Sequence, residues 1–564
     1  MTTATIETSV HQHPPAPHEV PPAPSGRRRH GLTPAVRRTS LAVTLLAVLA
    51  LYTWNLAASG YANSFYSAAV QAGAESWKAF FYGSLDAGNS ITVDKTPGSL
   101  WLMALSVRIF GLSSWSILLP QALLGVGSAW ILYGTVRRSL ARSGSPNRAH
   151  WAGIVAALAF ALTPAATLMF RFNNPDALMV FCYVAAAAVT LRAAETASRK
   201  KLALAGALVG LGFLAKMLQA FVILPSLVLA YAVAAPASWR KKIVDLLIAF
   251  AAMVVTFGWW IAIVELVPAS WRPYIGGSQT NSILELTFGY NGLGRLNGDE
   301  TGSVGNASAR WGQIGIGRMF VTLSGEMVSW LIPAALLLAV AGFVLLGRRG
   351  WGTTLRSGVE TARTRTASAL ALFASWLVIN IAVFSYMAGI YHDYYTVALA
   401  PAIGGTLAIG GALAWTHRDT WVGRGRSRWP PSSAPSAHRP GPRRGRGVAH
   451  HVHRRRRRAG GLRRAVLVRT RRRPHPATLA ISASIVAGLA GPAAYSLNTA
   501  ATPHTGSIVT AGPARTGISG STGTGGGQNG GGRPGGQGQP PGQNQNGTGS
   551  STRGSAPAAA AWAA

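Results

Sequence analysis

Cysteine and acidic residues are scarce in this chain of 564 residues. Its one cysteine, Cys182, lies in an apolar run, so an internal disulfide framework and a Cys-based zinc site are both excluded. Charged residues make up only 12% of the chain, and hydrophobic residues make up 49%. This composition is too apolar for a soluble multidomain protein, and it predicts a membrane protein with many spans.

Apolar runs of near-spanning length predict about eleven transmembrane helices and an all-α polytopic fold. Lys216 and Gln219 interrupt the longest apolar stretch and favour a tight hairpin within 201–235. The segment 98–112, which carries Arg108, is predicted to be an interfacial helix. The predicted spans lie at 40–58, 114–135, 151–169, 177–194, 201–217, 219–235, 243–265, 327–347, 368–387, 394–416 and 479–497.

Lysine and arginine alternate between successive loops, and this alternation predicts the orientation of the chain in a cell membrane. The basic loops are assigned to the cytoplasmic side together with the N-terminus, and the C-terminal tail is assigned to the extracytoplasmic side. The outer loops are then 59–97, 170–176, 216–219, 266–326 and 388–393. Ten of the sixteen acidic residues lie in or beside these loops, so the chemistry is expected on the outer face.

Composition divides the chain into five predicted segments. A disordered basic cytoplasmic tail (1–39) precedes a transmembrane catalytic domain (40–425), and an Arg/Pro-rich segment (426–477) follows it. A last transmembrane helix (478–498) then leads into a Gly-rich extracytoplasmic tail (499–564), which is interpreted as a flexible linker that has lost a further domain or as a plain tail.

The Arg/Pro-rich segment allows three interpretations. No acid follows Asp419, and nineteen arginines lie between Arg418 and Arg473, which invites a nucleic-acid partner. The arginine run 454–458 has no aromatic residues interleaved with it, however, so anionic membrane lipid is the preferred partner and no nucleic acid is expected. The third interpretation is a frameshifted translation of GC-rich DNA over 426–477, which could leave this copy inactive.

The first outer loop, Gly60–Trp101, supplies the two candidate catalytic carboxylates, Asp86 and Asp94. Asp94 and Lys95 stand before Pro97, where an extended backbone points neighbouring side chains to opposite faces. One could meet an acceptor hydroxyl while the other meets a phosphate. The competing interpretation is a solvated turn.

Three further outer motifs carry candidate substrate-binding residues. In the turn RFNNPD, Arg171 suits a phosphate, and Asn174 and Asp176 suit sugar hydroxyls, although a helix cap competes for both. Lys216 at the outer end of an apolar helix contacts substrate or extends to the interface. In YHDYY, Tyr394 is a candidate substrate contact or part of an interfacial belt, and His392 is a candidate metal ligand.

Five motifs together resemble the actinobacterial members of glycosyltransferase family 39. They are VDKTPGSLW at 93–101, IFGLSSWSILLPQ at 109–121, NNPDALMVF at 173–181, LAK at 214–216 and YHDYY at 391–395. The resemblance implies a GT-C transmembrane helix bundle with a catalytic first outer loop, similar to the aminoarabinose transferase and the protein O-mannosyltransferases.

The resemblance also implies the chemistry. A polyprenyl-phosphate sugar would be the donor, and a cell-envelope polymer, lipid or protein would be the acceptor, in an inverting displacement with a carboxylate as general base. Lys95 and Lys216 would contact the phosphate. Asp94 and His392 would be candidate ligands of a possible divalent metal.

The chain departs from the family pattern at two positions. Thr96 stands where the first proline is usual, and Asn63 lies in the neighbourhood where an aspartate is the presumed base. Because an amide cannot accept a proton in that role, the prediction for the base moves to Asp86 or Asp94. The competing functional class is a lipid-linked sugar flippase or another transporter, which would place its polar groups at the midplane of repeated halves.

Overall fold

The computed structural model of the chain describes residues 32–141, 145–298, 313–347, 358–417 and 476–513. The segment interpreted as frameshifted therefore lies almost wholly outside the described residues, and so do most of both predicted tails.

Helices make up the architecture of the described residues, with two isolated β-bridges beside them. The segment predicted to be an interfacial helix is helical, as α4. In chain order the helices are α1 Pro34–Thr53, α2 Ser64–Glu75, α3 Trp77–Tyr82, α4 Gly98–Phe110, α5 Ser114–Leu140, α6 Pro146–Ala161, α7 Pro164–Met169, α8 Asp176–Ala194, α9 Arg199–Lys216, α10 Leu224–Ala234, α11 Trp239–Leu266, α12 Ile283–Phe288, α13 Gly294–Asn297, α14 Thr322–Val328, α15 Ile332–Leu346, α16 Gly358–Tyr386, α17 Ala400–Thr416 and α18 Pro476–Ala501.

Eight helical stretches within the described residues are long and apolar enough to cross a membrane, which confirms the predicted all-α polytopic fold. Several of them join a helix to an adjoining 3-10 turn. The stretches are Pro34–Ser59, Ser114–Leu140, Asp176–Ala194, Arg199–Ala234, Trp239–Leu266, Leu323–Leu346, Ala362–Tyr386 and Asp393–Thr416.

The stretch Arg199–Ala234 folds back on itself, as the polar residues near its middle predict. Helix α9 ends at Lys216, Met217 adopts a left-handed φ of 47°, and a 3-10 turn leads into α10. Arg199 at the start of α9 and Tyr231 near the end of α10 both donate to Asp245, at 2.8 and 2.7 Å. The start of α9 and the end of α10 therefore lie at the same end of the bundle.

The predicted span 151–169 is two helices in the structure. Helix α6 ends at Ala161, and α7 begins at Pro164. Proline has no N–H to donate, and its ring clashes with the preceding turn, so the helix breaks there. The break leads directly into the polar turn at Arg171–Asp176.

Glycine lets neighbouring helices approach backbone to backbone, as small residues do in membrane bundles. A Cβ added to Gly206 of α9 would lie 2.0 Å from the carbonyl oxygen of Ala249 in α11, and one added to Gly404 of α17 would lie 2.6 Å from that of Ala156. Helix α9 carries Lys216, so this contact also sets where that lysine lies.

Gly206→Ala is expected to destabilise the protein by about 1–3 kcal/mol, because α9 and α11 must separate to admit one methyl group. Thermal unfolding of the purified protein in detergent measures the change. Gly134→Ala in α5 is the matched control, because an added Cβ meets nothing within 4 Å there. Equal melting temperatures for the two variants would contradict the close α9–α11 contact.

Paired charges lie at both ends of the bundle. At one end, Glu195 pairs with Arg138 at 2.5 Å and with Arg365 at 3.0 Å, close to the Asp245 cluster. These residues belong to the predicted cytoplasmic loops and helix ends. The opposite end holds the first outer loop and the large outer loop, and it is called the site face below.

Candidate active site

The large outer loop and the end of α9 hold the segment 92–97 in place on the site face. The Gly276 N–H donates to the Thr92 hydroxyl at 3.0 Å, and the Thr96 hydroxyl donates to the Phe213 carbonyl at 2.9 Å. Gly98 at the start of α4 sits so close to Leu214 that a Cβ would lie 2.6 Å from its carbonyl oxygen. The backbone around Asp94 is thus fixed by partners far away in sequence.

Asp94 and Lys95 form an ion pair, with 2.7 Å between Asp94 Oδ2 and Lys95 Nζ. The same ammonium donates to Asn291 Oδ1 at 2.7 Å, and the Asn291 amide donates to the Asp94 carbonyl at 2.6 Å. The ring of Tyr290 lies 5.5 Å from Lys95 Nζ and 4.5 Å from Arg295 Cζ, measured to the ring centre. Asp94 and Lys95 are adjacent in sequence and meet each other instead of pointing to opposite faces.

Asp176 at the start of α8 and Lys216 at the end of α9 form a second carboxylate–lysine pair. Lys216 Nζ donates to Asp176 Oδ1 at 2.6 Å, and the side chains are 5% and 0% exposed. The ammonium also lies 4.0 Å from the ring centre of Tyr395 and 5.5 Å from that of Tyr394. Asp176 Oδ2 is buried without a hydrogen-bond partner, so this carboxylate keeps an unused acceptor.

The two pairs belong to one electrostatic cluster. Lys95 interacts with Arg295 and Asp176, and Lys216 interacts with Lys95 and Arg295. Burial lowers the pKa of His392 well below its usual range, and the charges of Arg295, Lys216 and Lys95 lower it further. The charged groups of the cluster are therefore Lys95, Lys216 and Arg295 as cations and Asp94 and Asp176 as carboxylates.

Five residues of this cluster are absent from the candidates drawn from the sequence, and one of them, Tyr395, follows the candidate Tyr394 directly. Tyr290, Asn291 and Arg295 lie in a glycine-rich loop, where only their mixture of ring, amide and guanidinium signalled a site. Tyr66 of α2 is buried, and its pKa is raised by burial and by the charges of Asp94 and other cluster residues. It lines a cavity of about 10 Å³ with Lys95, enough for one water.

Helix α14 holds the YHDYY segment at 391–395 in place. Ser324 of α14 bonds the Tyr391 hydroxyl at 2.7 Å and donates to the Asp393 carboxylate. The ring of His392 stacks on that of Tyr394, with 5.1 Å between centres. Tyr391 and Asp393 therefore face α14, whereas Tyr394 and Tyr395 face Lys216.

The NNPD turn at 173–176 holds the start of the first outer loop in place through Asn63. Asn173 accepts from the Asn63 N–H at 2.9 Å and donates to the Asn63 carbonyl at 2.9 Å. The Asn63 side-chain amide donates to Asn174 Oδ1 at 3.4 Å, while its own oxygen caps α2 through the Phe65 N–H. Asn174 thus contacts the loop rather than the lysines, and Asn63 has a structural role.

Arg171 and Asp86 make their hydrogen bonds with residues outside the cluster. The Arg171 guanidinium donates to the carbonyls of Leu51 and Ala500, each at 2.9 Å, and so joins the ends of α1 and α18. The Asp86 carboxylate accepts from the Ser90 N–H and hydroxyl in an exposed turn, and the hydroxyl bond lowers its pKa. Of the two candidate bases, only Asp94 faces the cations.

The possible metal site has few donors. Among the described residues, no group of three His, Cys, Asp or Glu side chains could hold a metal ion. Asp94 and His392 by themselves supply fewer protein ligands than a zinc site requires, and one oxygen of Asp94 is bonded to Lys95. The arrangement does not fit a metal held by these two residues.

Comparison with known proteins gives this arrangement a context. Residues 94–261 match the family described as dolichyl-phosphate-mannose-protein mannosyltransferase. The resemblance to a family of membrane sugar transferases is confirmed for this part of the chain. The matched part begins at Asp94 and contains both lysines, Asp176 and the NNPD turn.

Two Bacillus subtilis (strain 168) proteins are similar to the same half of the chain. "Putative mannosyltransferase YycA" is 42% identical over 264 residues, covering 47% of this chain and 37% of that protein. "Putative mannosyltransferase YkcB" is 42% identical over 262 residues, covering 46% and 36%. The chain therefore matches little more than a third of the length of these relatives.

Solved structures of membrane glycosyltransferases are more distantly similar. ArnT from Cupriavidus metallidurans bound to undecaprenyl phosphate has a TM-score of 0.44 and 17% identity, covering 68% of this chain and 62% of that one. The oligosaccharyltransferase AglB from Archaeoglobus fulgidus, in complex with an inhibitory peptide and a dolichol-phosphate, has a TM-score of 0.45 and 13% identity, covering 85% and 56%. These values assign no activity to the chain.

Proposed function

We propose that the chain is a membrane glycosyltransferase that moves a sugar from a polyprenyl-phosphate donor to an acceptor on the extracytoplasmic face. The observation that carries the proposal is the cluster itself, in which Lys95, Lys216 and Arg295 surround two carboxylates and several tyrosines. Ammonium and guanidinium groups with low exposure bind a phosphate strongly. The family match and the relatives' names support sugar transfer as the reaction.

In the proposed reaction, Asp94 is the general base, and the two lysines bind the phosphate. Asp94 takes the proton of an acceptor hydroxyl, and that oxygen attacks the anomeric carbon of the donor sugar. The bond from this carbon to the phosphate oxygen breaks, and the electron pair leaves with the polyprenyl phosphate. Lys95 and Lys216 stabilise the charge on the departing phosphate. One such displacement inverts the anomeric configuration.

The tyrosines suit the sugar. Tyr394 and Tyr395 lie at Lys216, and Tyr290 lies between Lys95 and Arg295. Aromatic faces pack against the C–H face of a sugar ring, and the hydroxyls donate to sugar oxygens. Asp176, with its unused oxygen, is assigned to a sugar hydroxyl. The sugar and the acceptor are left to experiment.

Membranes containing the chain, incubated with radiolabelled polyprenyl-phosphate sugars, test the proposal. Transfer of label to a polymer, lipid or protein is the expected result, and membranes from cells without the gene are the control. Movement of intact lipid-linked sugar across the membrane without transfer would support a flippase instead. Neither transfer nor movement with any polyprenyl-phosphate sugar would overturn the proposal.

Donor binding is expected to weaken at alkaline pH. Burial lowers the pKa of Lys95 from its usual value of 10.5, and the Asp94 carboxylate offsets this in part. Because a phosphate needs the protonated ammonium, KM for the donor should rise as pH increases, beginning below pH 10.5. Because Lys216 is a second phosphate-binding ammonium, Lys95→Arg, whose guanidinium stays charged, should reduce this rise, and Lys95→Arg/Lys216→Arg should remove it. The same alkaline limb in wild type and in the double variant would contradict the assignment.

A further inference from the structure

Both lysines of the site already have protein acceptors. An ammonium has three N–H donors, and Lys95 Nζ uses them on the Asp94 carbonyl at 3.2 Å, Asp94 Oδ2 at 2.7 Å and Asn291 Oδ1 at 2.7 Å. Lys216 donates to Asp176 and faces the ring of Tyr395. A phosphate oxygen that hydrogen-bonds Lys95 must therefore displace one of these three oxygens, and a phosphate oxygen that binds Lys216 must share the ammonium with the Asp176 carboxylate.

The same pairs restrain the carboxylates. A carboxylate oxygen that accepts a hydrogen bond from a lysine must give up that bond before it can accept the proton of a hydroxyl. Asp94 Oδ2 is held in this way by Lys95. The base and the phosphate-binding cation of the proposed reaction thus inhibit each other for as long as they remain paired.

The cluster has the charge and mobility for an exchange of partners. An entering phosphodiester carries one negative charge, as the Asp94 carboxylate does, so it can take the place of that carboxylate beside Lys95 without leaving the ammonium unpaired. Lysine can change partners without moving the backbone, because its ammonium is carried on four flexible methylene groups. Asn291 meanwhile stays bonded to the Asp94 carbonyl, which keeps the loop in place.

We propose that Asp94 and Asp176 are built-in competitors for the donor phosphate, so that donor binding releases Asp94 from Lys95 before an acceptor hydroxyl is deprotonated. The inference rests on the proposed function and adds an order of binding to it. The donor phosphate enters first and takes the lysines. The released carboxylate then activates the acceptor, and an acceptor or water that arrives alone meets a base held by Lys95.

Affinity for a lipid phosphate tests the competition directly. The probe is undecaprenyl phosphate in detergent micelles, with binding to purified protein followed by tryptophan fluorescence. Asp94→Asn and Asp176→Asn each remove one competing charge and keep the shape of the side chain. Each variant should therefore bind the probe about tenfold more tightly than wild type, which corresponds to about 1.4 kcal/mol for one competing charge. Sugar transfer by Asp94→Asn should nevertheless be lost.

Glu75→Gln is the matched control, because Glu75 lies in the same outer loop and contacts only Gln71, at 3.2 Å, among the contacts described for it. Its affinity for the probe should equal that of wild type. Asp176→Asn leaves a buried lysine without its partner, so folding is checked by thermal unfolding. If it does not fold, Asp94→Asn, whose carboxylate is 24% exposed, carries the test alone.

The outcomes separate this inference from the proposed function. Wild-type protein that neither binds the probe nor transfers sugar would overturn both. Wild-type protein that binds it, together with a folded Asp94→Asn variant that binds equally or less tightly, would overturn the competition and leave the glycosyltransferase proposal intact.

Discussion

Asp94→Asn is expected to reduce sugar transfer by a factor of about 10²–10⁴, the usual contribution of a general base. The amide fills the same space and can still accept a hydrogen bond from Lys95, but it cannot take the proton of the acceptor hydroxyl. The measurement is the initial rate of label transfer from a polyprenyl-phosphate sugar, divided by the amount of folded protein in the membrane.

Asp86→Asn provides the comparison, because Asp86 is the other acid proposed from the sequence. Its carboxylate caps an exposed turn through Ser90, and an amide oxygen can accept the same bonds. Transfer by this variant should stay within about twofold of wild type, as surface substitutions outside a site usually do. The opposite pattern, with Asp86→Asn inactive and Asp94→Asn active, would move the base to the exposed turn.

Lys216→Met is expected to reduce transfer by a factor of about 10²–10³, since it removes one of the charges that stabilise the departing phosphate. Methionine fills the buried volume next to Tyr395 but carries no charge. The single variant also leaves Asp176 buried and unpaired, which destabilises a protein by about 3–5 kcal/mol. A loss of activity in this variant alone could therefore arise from unfolding.

The double variant Lys216→Met/Asp176→Asn removes both charges together and separates the two causes. It should unfold near the wild-type temperature and still fail to transfer sugar. Lys242→Met is the matched control, because Lys242 is another buried lysine, bonded to the Ala232 carbonyl at 2.7 Å near the opposite end of the bundle. A stable double variant with wild-type transfer would remove Lys216 from the phosphate site.

Much of the fold follows from the sequence because hydropathy and helix breaks are local properties. All eleven predicted spans fall on helices, and the hairpin in 201–235 forms near Lys216 and Gln219. The miss at 151–169 has a local cause as well, since Pro164 divides the run. The prediction of one span rested on the apolar composition of the whole run, and it did not treat Pro164 as a break in the helix.

The site was predictable only in part. Asp94, Lys95, Asp176, Lys216 and Tyr394 were candidates in separate motifs, and each had a structural alternative. Asp86 and Arg171 were candidates too, but Asp86 caps a turn and Arg171 joins α1 to α18. Whether an acid or a guanidinium faces a cluster or a backbone carbonyl depends on residues up to 329 positions away, and no local pattern encodes that.

The sequence by itself determined that this is a multi-span membrane protein and predicted that most of its acidic residues lie in or beside the outer loops, because hydropathy and charge are summed over the chain. Only the tertiary structure decided which charges meet. It pairs Lys216 with Asp176 across 40 residues, and Lys95 with Asn291 across 196. Such pairs form because α9 packs closely against its neighbours and the large outer loop packs over the first, and both contacts depend on the three-dimensional positions of backbones that the sequence does not place side by side.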